Sequence, residues 1–322
     1  MAPGVPRLFG GAASAATVCA AGALLTACGT GQAPASPTVT VWVTPTTVSA
    51  EQIDATTPTV VVTETTENAR IQPSTAKASA SPPSSPASAI DAAHFDASFA
   101  ELQKSLSGSA SVAIVDTDGI VHTAGDHQID VAWSTSKVPV ALAALAHSPG
   151  ASTQADVRDA IRDSNNPASQ RLWDRLKNPA AETEAVLRAG GDTTTKVPSQ
   201  RLRPGFTVFG QTRWSVGESA VFAGRINKLP HGELVLGHMS RVSGSQQWGF
   251  WHLPGSAVKG GWGPVGGGYL VRQMGVVYVG ARGGTAPVPV AALVRAPSLE
   301  AGTRDLDAIA RWAQPYVEAA AG

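Results

Sequence analysis

The pattern of apolar and polar positions divides the chain near residue 90. Beyond that point apolar residues recur at helical steps or alternate, as packed elements require. Phe95, Phe99, Leu102 and Leu106 predict a helix over Ala92–Leu106, which Gly108 stops. Ser111–Asp116 and Gly119–Thr123 read as two short strands around Asp116-Thr117-Asp118-Gly119, because Asp-Gly is a hairpin signal. An apolar helix follows over Val138–Leu145, then helical segments at Asp156–Ile161, Pro167–Leu176 and Ala180–Leu187. Gly190–Trp214 is irregular and rich in Thr, Pro, Gly and Arg, and a loop of that length is usually functional or a large surface excursion. Val216–Leu229 and Glu233–Val242 return to the helical period. The period then changes: Ala257–Lys259, Tyr269–Tyr278 and Val288–Val294 read as strands between Gly-rich turns. Asp305–Ala320 closes the chain as an amphipathic helix, with Leu306, Ile309, Ala310, Ala313 and Val317 in phase.

This order predicts an α/β (α+β) domain over 91–322. A five-stranded, mainly antiparallel sheet carries the terminal helices, and an all-helical lobe is inserted between its second and third strands. A cleft between sheet and lobe is the expected site.

Before residue 90 no segment has a face that it could bury alone. Residues 1–27 read as an export signal, with Arg7 ahead of the apolar, small-residue run Gly10–Leu25. Leu25-Thr26-Ala27-Cys28-Gly29 resembles a bacterial lipoprotein box, which implies cleavage before Cys28 and acylation of its thiol, as with palmitate. The expected location is the exterior face of the cell membrane, with the bilayer as partner. Residues 28–90 are dominated by Thr, Ser, Pro, Ala and Val and read as an extended tether.

Composition narrows the function classes. The 322 residues carry 24 basic and 24 acidic side chains, so nothing suggests nucleic acid as a partner. Both cysteines, Cys19 and Cys28, lie in the first thirty residues, which leaves the domain without a thiol nucleophile or thiolate metal site. The seven histidines have no close ligand spacing, and neither metal nor cofactor is expected. Trp248, Phe250 and Trp251 fit core packing better than a binding platform.

Candidate chemistry sits in Ser134-Thr135-Ser136-Lys137, at the head of the apolar helix. Ser and Lys one turn apart share a helix face, at ~3.6 residues per turn, and the N-terminal amides face the serine. An amine beside a hydroxyl is one way to activate a serine nucleophile. The tetrapeptide occurs twice more, at Ser74–Lys77 and Ser256–Lys259, so position in the fold separates this one from chance. Two further motifs fall at the predicted lobe junctions: Ser164-Asn165-Asn166 and Lys259-Gly260-Gly261. Ser164 is also a candidate N-cap for the helix at Pro167.

The order Ser-x-x-Lys, Ser-x-Asn, Lys-x-Gly resembles the serine β-lactamase and penicillin-binding protein superfamily, most nearly class A. The resemblance covers about Ala92 to Gly322. It implies that Ser134 attacks the carbonyl of a β-lactam or a peptidoglycan-like peptide and that Lys137 takes the proton. Ser164 would pass a proton to the leaving group. Asn166, Lys259 and Gly261 would line the substrate, with Lys259 attracting its carboxylate and keeping Lys137 neutral. The Ser134 amide and one near Trp262-Gly263 would form an oxyanion hole.

Three departures bear on activity. Gly260 replaces the hydroxyl residue usual in Lys-Thr-Gly or Lys-Ser-Gly. The step from Ser134 to Ser164 is much shorter than in class A enzymes. The loop Gly190–Ser215 contains no Glu to activate the deacylating water, and its only acid, Asp192, lies at its start. Efficient β-lactam hydrolysis is therefore not expected. Two readings stay open: a serine acyltransferase acting on peptidoglycan-like amides or esters, and a non-catalytic binding or scaffold lipoprotein that keeps the fold.

Overall fold

A computed structural model describes residues 90–126, 129–281 and 284–322. The signal, Cys28 and the tether lie outside the described residues.

Helix α1 (Ala92–Gln103) starts at Asp91, whose carboxylate accepts from the amides of Ala93 and His94. It ends short of Leu106, and its Phe95 and Phe99 pack at ring distances of 5.0 and 5.1 Å on Trp312 of the last helix. Strands β1 (Ser109–Val115) and β2 (Val121–Gly125) form the expected hairpin. Asp116 shapes its turn by accepting from the amides of Asp118 and Ile120. The sheet resumes with β5 (Ser256–Val265), β6 (Gly268–Ala281) and β7 (Gly284–Ala296). Its order is β2-β1-β7-β6-β5, with every pair antiparallel, so β5 is an edge strand. Strands β5–β7 run longer than their apolar cores, because cross-strand ladders continue through the Gly-rich ends.

Alternation along β1 feeds two cores. Ala110, Val112 and Ile114 join Phe95, Phe99 and α8 (Leu299–Ala320) on one face. Ala113 and Val115 join the inserted lobe on the other. Helix α8 starts before the predicted Asp305, because Ser298 caps it by accepting from the Ala301 amide.

The lobe between β2 and β5 contains α2 (Lys137–His147), α3 (Ala151–Arg162), α4 (Asn166–Asp174), α5 (Pro179–Ala189), α6 (Val216–Ala223) and α7 (Gly232–Met239). Residues Val138 to Leu145 of α2 are all buried, as expected of a helix apolar on every side. The single helix predicted over Val216–Leu229 instead stops at Ala223, with Gly224 as its cap, and a short 3-10 turn covers Ile226–Lys228. A two-stranded ribbon, β3 (Ile129–Val131) with β4 (Arg213–Ser215), was not foreseen. Three residues per strand carry no period of their own, and tertiary pairing makes this ribbon.

Candidate active site

The turn that carries Ser134 is tighter than the expected helix start. Trp133–Ser136 form a 3-10 turn, and the α-helix begins at Lys137. Trp133 has φ +47°, a conformation that a bulky residue rarely adopts. Its ring is held against Phe206 at a centroid distance of 5.1 Å. The hydroxyls of Thr135 and Ser136 donate to the carbonyls of Ala132 and Trp133, both at 2.6 Å, and hold the turn. Ser134 is half-buried, and no hydrogen bond reaches its hydroxyl among the described residues.

Strand β5 lies directly against this turn. A Cβ on Gly261 would sit 2.8 Å from the Ala132 carbonyl oxygen and 2.9 Å from the Ser134 amide nitrogen, so only glycine fits. Gly261 thus acts as the spacer that brings the edge strand to the serine.

Lys137 and Lys259 meet behind Ser134. Both are buried, at 1% and 0% exposure. The Lys137 ammonium donates to the Ser164 carbonyl, to Ser164 Oγ at 3.2 Å and to Asn166 Oδ1 at 2.7 Å. Lys259 donates to Ser164 Oγ at 3.0 Å, to Gln246 Oε1 and to its neighbour's carbonyl, Gly260, at 2.8 Å. Ser164 Oγ therefore links the two amines, and among the described residues no carboxylate balances either. Burial lowers Lys137 from 10.5 to about 7. Burial, and then the charge of Lys137, push Lys259 well below its ordinary value. Three donors on Lys259 meet three acceptors. In this arrangement the amine has no N–H left for a substrate carboxylate, in contrast to the direct attraction expected of it.

The middle motif divides its work. Asn165, not Ser164, caps α4, its side chain accepting from the Ala168 amide at 2.8 Å. Ser164 is freed from capping and sits at φ +53°, with its carbonyl on Lys137. Asn166 also lines the cavity at Ser134.

That cavity encloses about 460 Å³ and has Ser134, Trp133, Phe206, Trp262 and Tyr269 among its walls. Its lining includes no acid. Gln211 spends its buried amide within the loop, donating to the Thr207 carbonyl at 3.0 Å and accepting from the Arg203 amide. Asp192 is fully buried and accepts from Trp214 Nε1 at 2.8 Å and from the amides of Thr194 and Thr195. The loop's only acid is thus committed to its base. A larger hollow of about 710 Å³ lies at the opposite end of β5, beside α7 and Tyr278, and none of the three motifs reaches it.

Two contributors were not foreseen. Gln246 joins Lys259 to the Arg162 carbonyl at 2.7 Å and so ties β5 to the end of α3. Trp248, expected only as core, fills the space beside Gly260: a Cβ there would meet its ring at 2.7 Å. The Gly260-Gly261-Trp262-Gly263 run was the available signal, since successive glycines imply close neighbours. Nothing local marked Gln246.

The fold is that of the serine β-lactamases, class A-like. The β-lactamase from Desulfarculus baarsii DSM 2075 is 20% identical and superposes with a TM-score of 0.53, covering 69% of this chain and 98% of its own. The β-lactamase from Sphaerobacter thermophilus DSM 20745 is 17% identical, with a TM-score of 0.55 and coverages of 71% and 98%. The β-lactamase from Xanthomonas campestris pv. campestris str. ATCC 33913 is 18% identical, with a TM-score of 0.55 and coverages of 70% and 98%. No family model matches the chain, and no curated protein does. At these identities the likeness establishes the fold.

Proposed function

We propose that the domain is an envelope serine acyltransferase that forms a long-lived acyl-enzyme on Ser134. The observation that carries this reading is the burial of Lys137 one turn from a half-buried serine, and that burial lowers its amine to about 7. Near neutral pH a large fraction of Lys137 is unprotonated and can take the Ser134 proton. Ser134 Oγ then attacks the carbonyl carbon of an amide or ester, such as a peptidoglycan-like peptide. The developing oxyanion faces the Ser134 amide and the adjoining edge of β5. Collapse breaks the bond to the leaving group, which takes its proton through Ser164, the hydroxyl shared by both lysines. Water finds no carboxylate base in the cavity, so the acyl-enzyme persists and β-lactam turnover is negligible. Lipid on Cys28 would hold this domain at the outer face of the membrane.

A second reading has its own support. All three Lys137 contacts go to Ser164 and Asn166 and none to Ser134, which suits a binding or scaffold module that keeps the fold without turnover.

Mass spectrometry of the full chain with a fluorophosphonate and a labelled penicillin separates the two. The expected result is an adduct on Ser134 that disappears in Ser134→Ala. Absence of any adduct sinks the acyltransferase and leaves the binding module. In cells, Cys28→Ser is expected to release the protein from the membrane fraction, and retention there would contradict the lipid anchor.

A further inference from the structure

The cavity at Ser134 has one charged residue in its lining, Arg201. Arg201 is exposed and makes no hydrogen bond or ion pair among the described residues. Its neighbour Arg203 is engaged: its guanidinium lies 4.6 Å from the Phe206 ring centre and 5.7 Å from that of Trp133, and it donates to the Pro264 carbonyl at 3.3 Å. Arg203 thus fastens the loop to β5, and among the described residues Arg201 is the uncommitted cation of a lining that also holds Trp133, Phe206, Trp262 and Tyr269.

The strand side offers an anion little. Lys259 is fully buried with its donors spent, and Gly260 has no hydroxyl. Trp248 occupies the space in which a side chain at 260 would stand. Trp262, 6.2 Å from Trp248 between ring centres, extends the same apolar wall. With no acid in the lining, the one formal charge that lines the cavity is Arg201, on the loop side.

We propose that Arg201 is the anion-recognising residue of this site, and that the site takes an aryl or bulky apolar acyl compound bearing a carboxylate directed at the loop rather than at β5. The aromatic walls bury the apolar part, and the guanidinium, with its planar pair of donors, orients the carboxylate. This rests on reading the Ser134 cavity as the substrate site, but it does not require Ser134 to react.

The test therefore uses Ser134→Ala full chain, which cannot be acylated. Calorimetric titration compares 4-phenylbutyrate with its neutral amide, 4-phenylbutyramide, at low and high salt. The carboxylate is expected to bind at least fivefold more tightly, with the preference shrinking in salt. Arg201→Ala should remove the preference, Arg201→Glu should reverse it, and Arg201→Lys should keep part of it. Equal affinity for both compounds, no binding of either, or a preference that survives Arg201→Ala overturns the proposal. Failure here with intact fluorophosphonate labelling of Ser134 rejects the anion assignment alone. Anion binding without labelling rejects the acyltransferase and spares it.

Discussion

Charges are buried in two ways in this domain. Away from the serine they are matched by opposite charges. Asp156, 6% exposed, accepts from Arg171 at 2.6 and 2.9 Å and from Arg175 at 2.9 Å. Burial alone would raise its carboxyl, but the two arginines outweigh that and hold it below the ordinary range. Asp130 receives Arg295 at 2.5 Å, and Asp192 receives Arg188 at 3.1 Å. At the serine, by contrast, Lys137 and Lys259 face only hydroxyl, amide and carbonyl oxygens. Desolvating an unpaired ammonium disfavours its charge. The first arrangement fixes charge for stability, while the second leaves two buried amines without a counter-charge among the described residues.

Arg272 lies between these cases. It is fully buried and donates to the carbonyls of Asp130, Val131 and Trp214 and to Ser219 Oγ. Burial lowers it only to about 10, so it stays a cation at neutral pH. Asp130 nearby offsets part of that burial, and arginine starts from a higher ordinary value than lysine, so Arg272 keeps its charge where Lys137 titrates.

The sharpest way to break the contrast is Lys137→Ala, which should slow labelling of Ser134 by about 100-fold or more, the usual scale for a lost general base. An unchanged rate would show that the unpaired amine has no chemical role. The labelling rate of the unaltered chain should rise about tenfold per pH unit below 7 and level off above it, since only the unprotonated amine accepts the proton.

Stability tests the other half. Below about pH 7 Lys137 is protonated in the folded and unfolded states, and its full burial cost applies. Between about 7 and 10.5 only the unfolded chain holds that proton, so stability should rise with pH. Lys137→Met removes the cost, and unfolding at pH 6 should show a gain bounded by roughly 5 kcal/mol. A loss of stability would mean that the amine's hydrogen bonds outweigh its desolvation.

Asp130→Ala should do the opposite and cost about 2 kcal/mol, less than a fully buried pair because Arg295 is 39% exposed. Denaturant unfolding reads this loss, and Ser134 labelling provides the control. Smallest of all should be Glu101→Gln, at most about 0.5 kcal/mol, because the Lys104–Glu101 pair is 70% and 73% exposed.

Hydrophobic periodicity was enough for the five-stranded sheet and the inserted helical lobe. Phe95 and Phe99 marked α1, and the change of period after Val242 marked the strands. The order of the three motifs, through the family it resembles, nominated Lys137, Ser164 and Lys259 as neighbours, and Ser164 Oγ does link the two amines. Where local signals were ambiguous, the contacts decided. Ser164 and Asn165 are both good caps, and α4 takes Asn165 because Ser164 is drawn to the lysines. Of the Gly260-Gly261 pair, one glycine makes room for Ser134 and the other for Trp248.

The sequence by itself therefore determined the architecture, which follows from periodicity, and nominated the candidate site residues through the order of three motifs. Only the tertiary structure decided how the site is charged. The depth of burial of Lys137 and Lys259, the amide of Gln246 that holds Lys259, and the isolation of Arg201 depend on residues brought together from distant parts of the chain, and pKa follows solvation and neighbours in space.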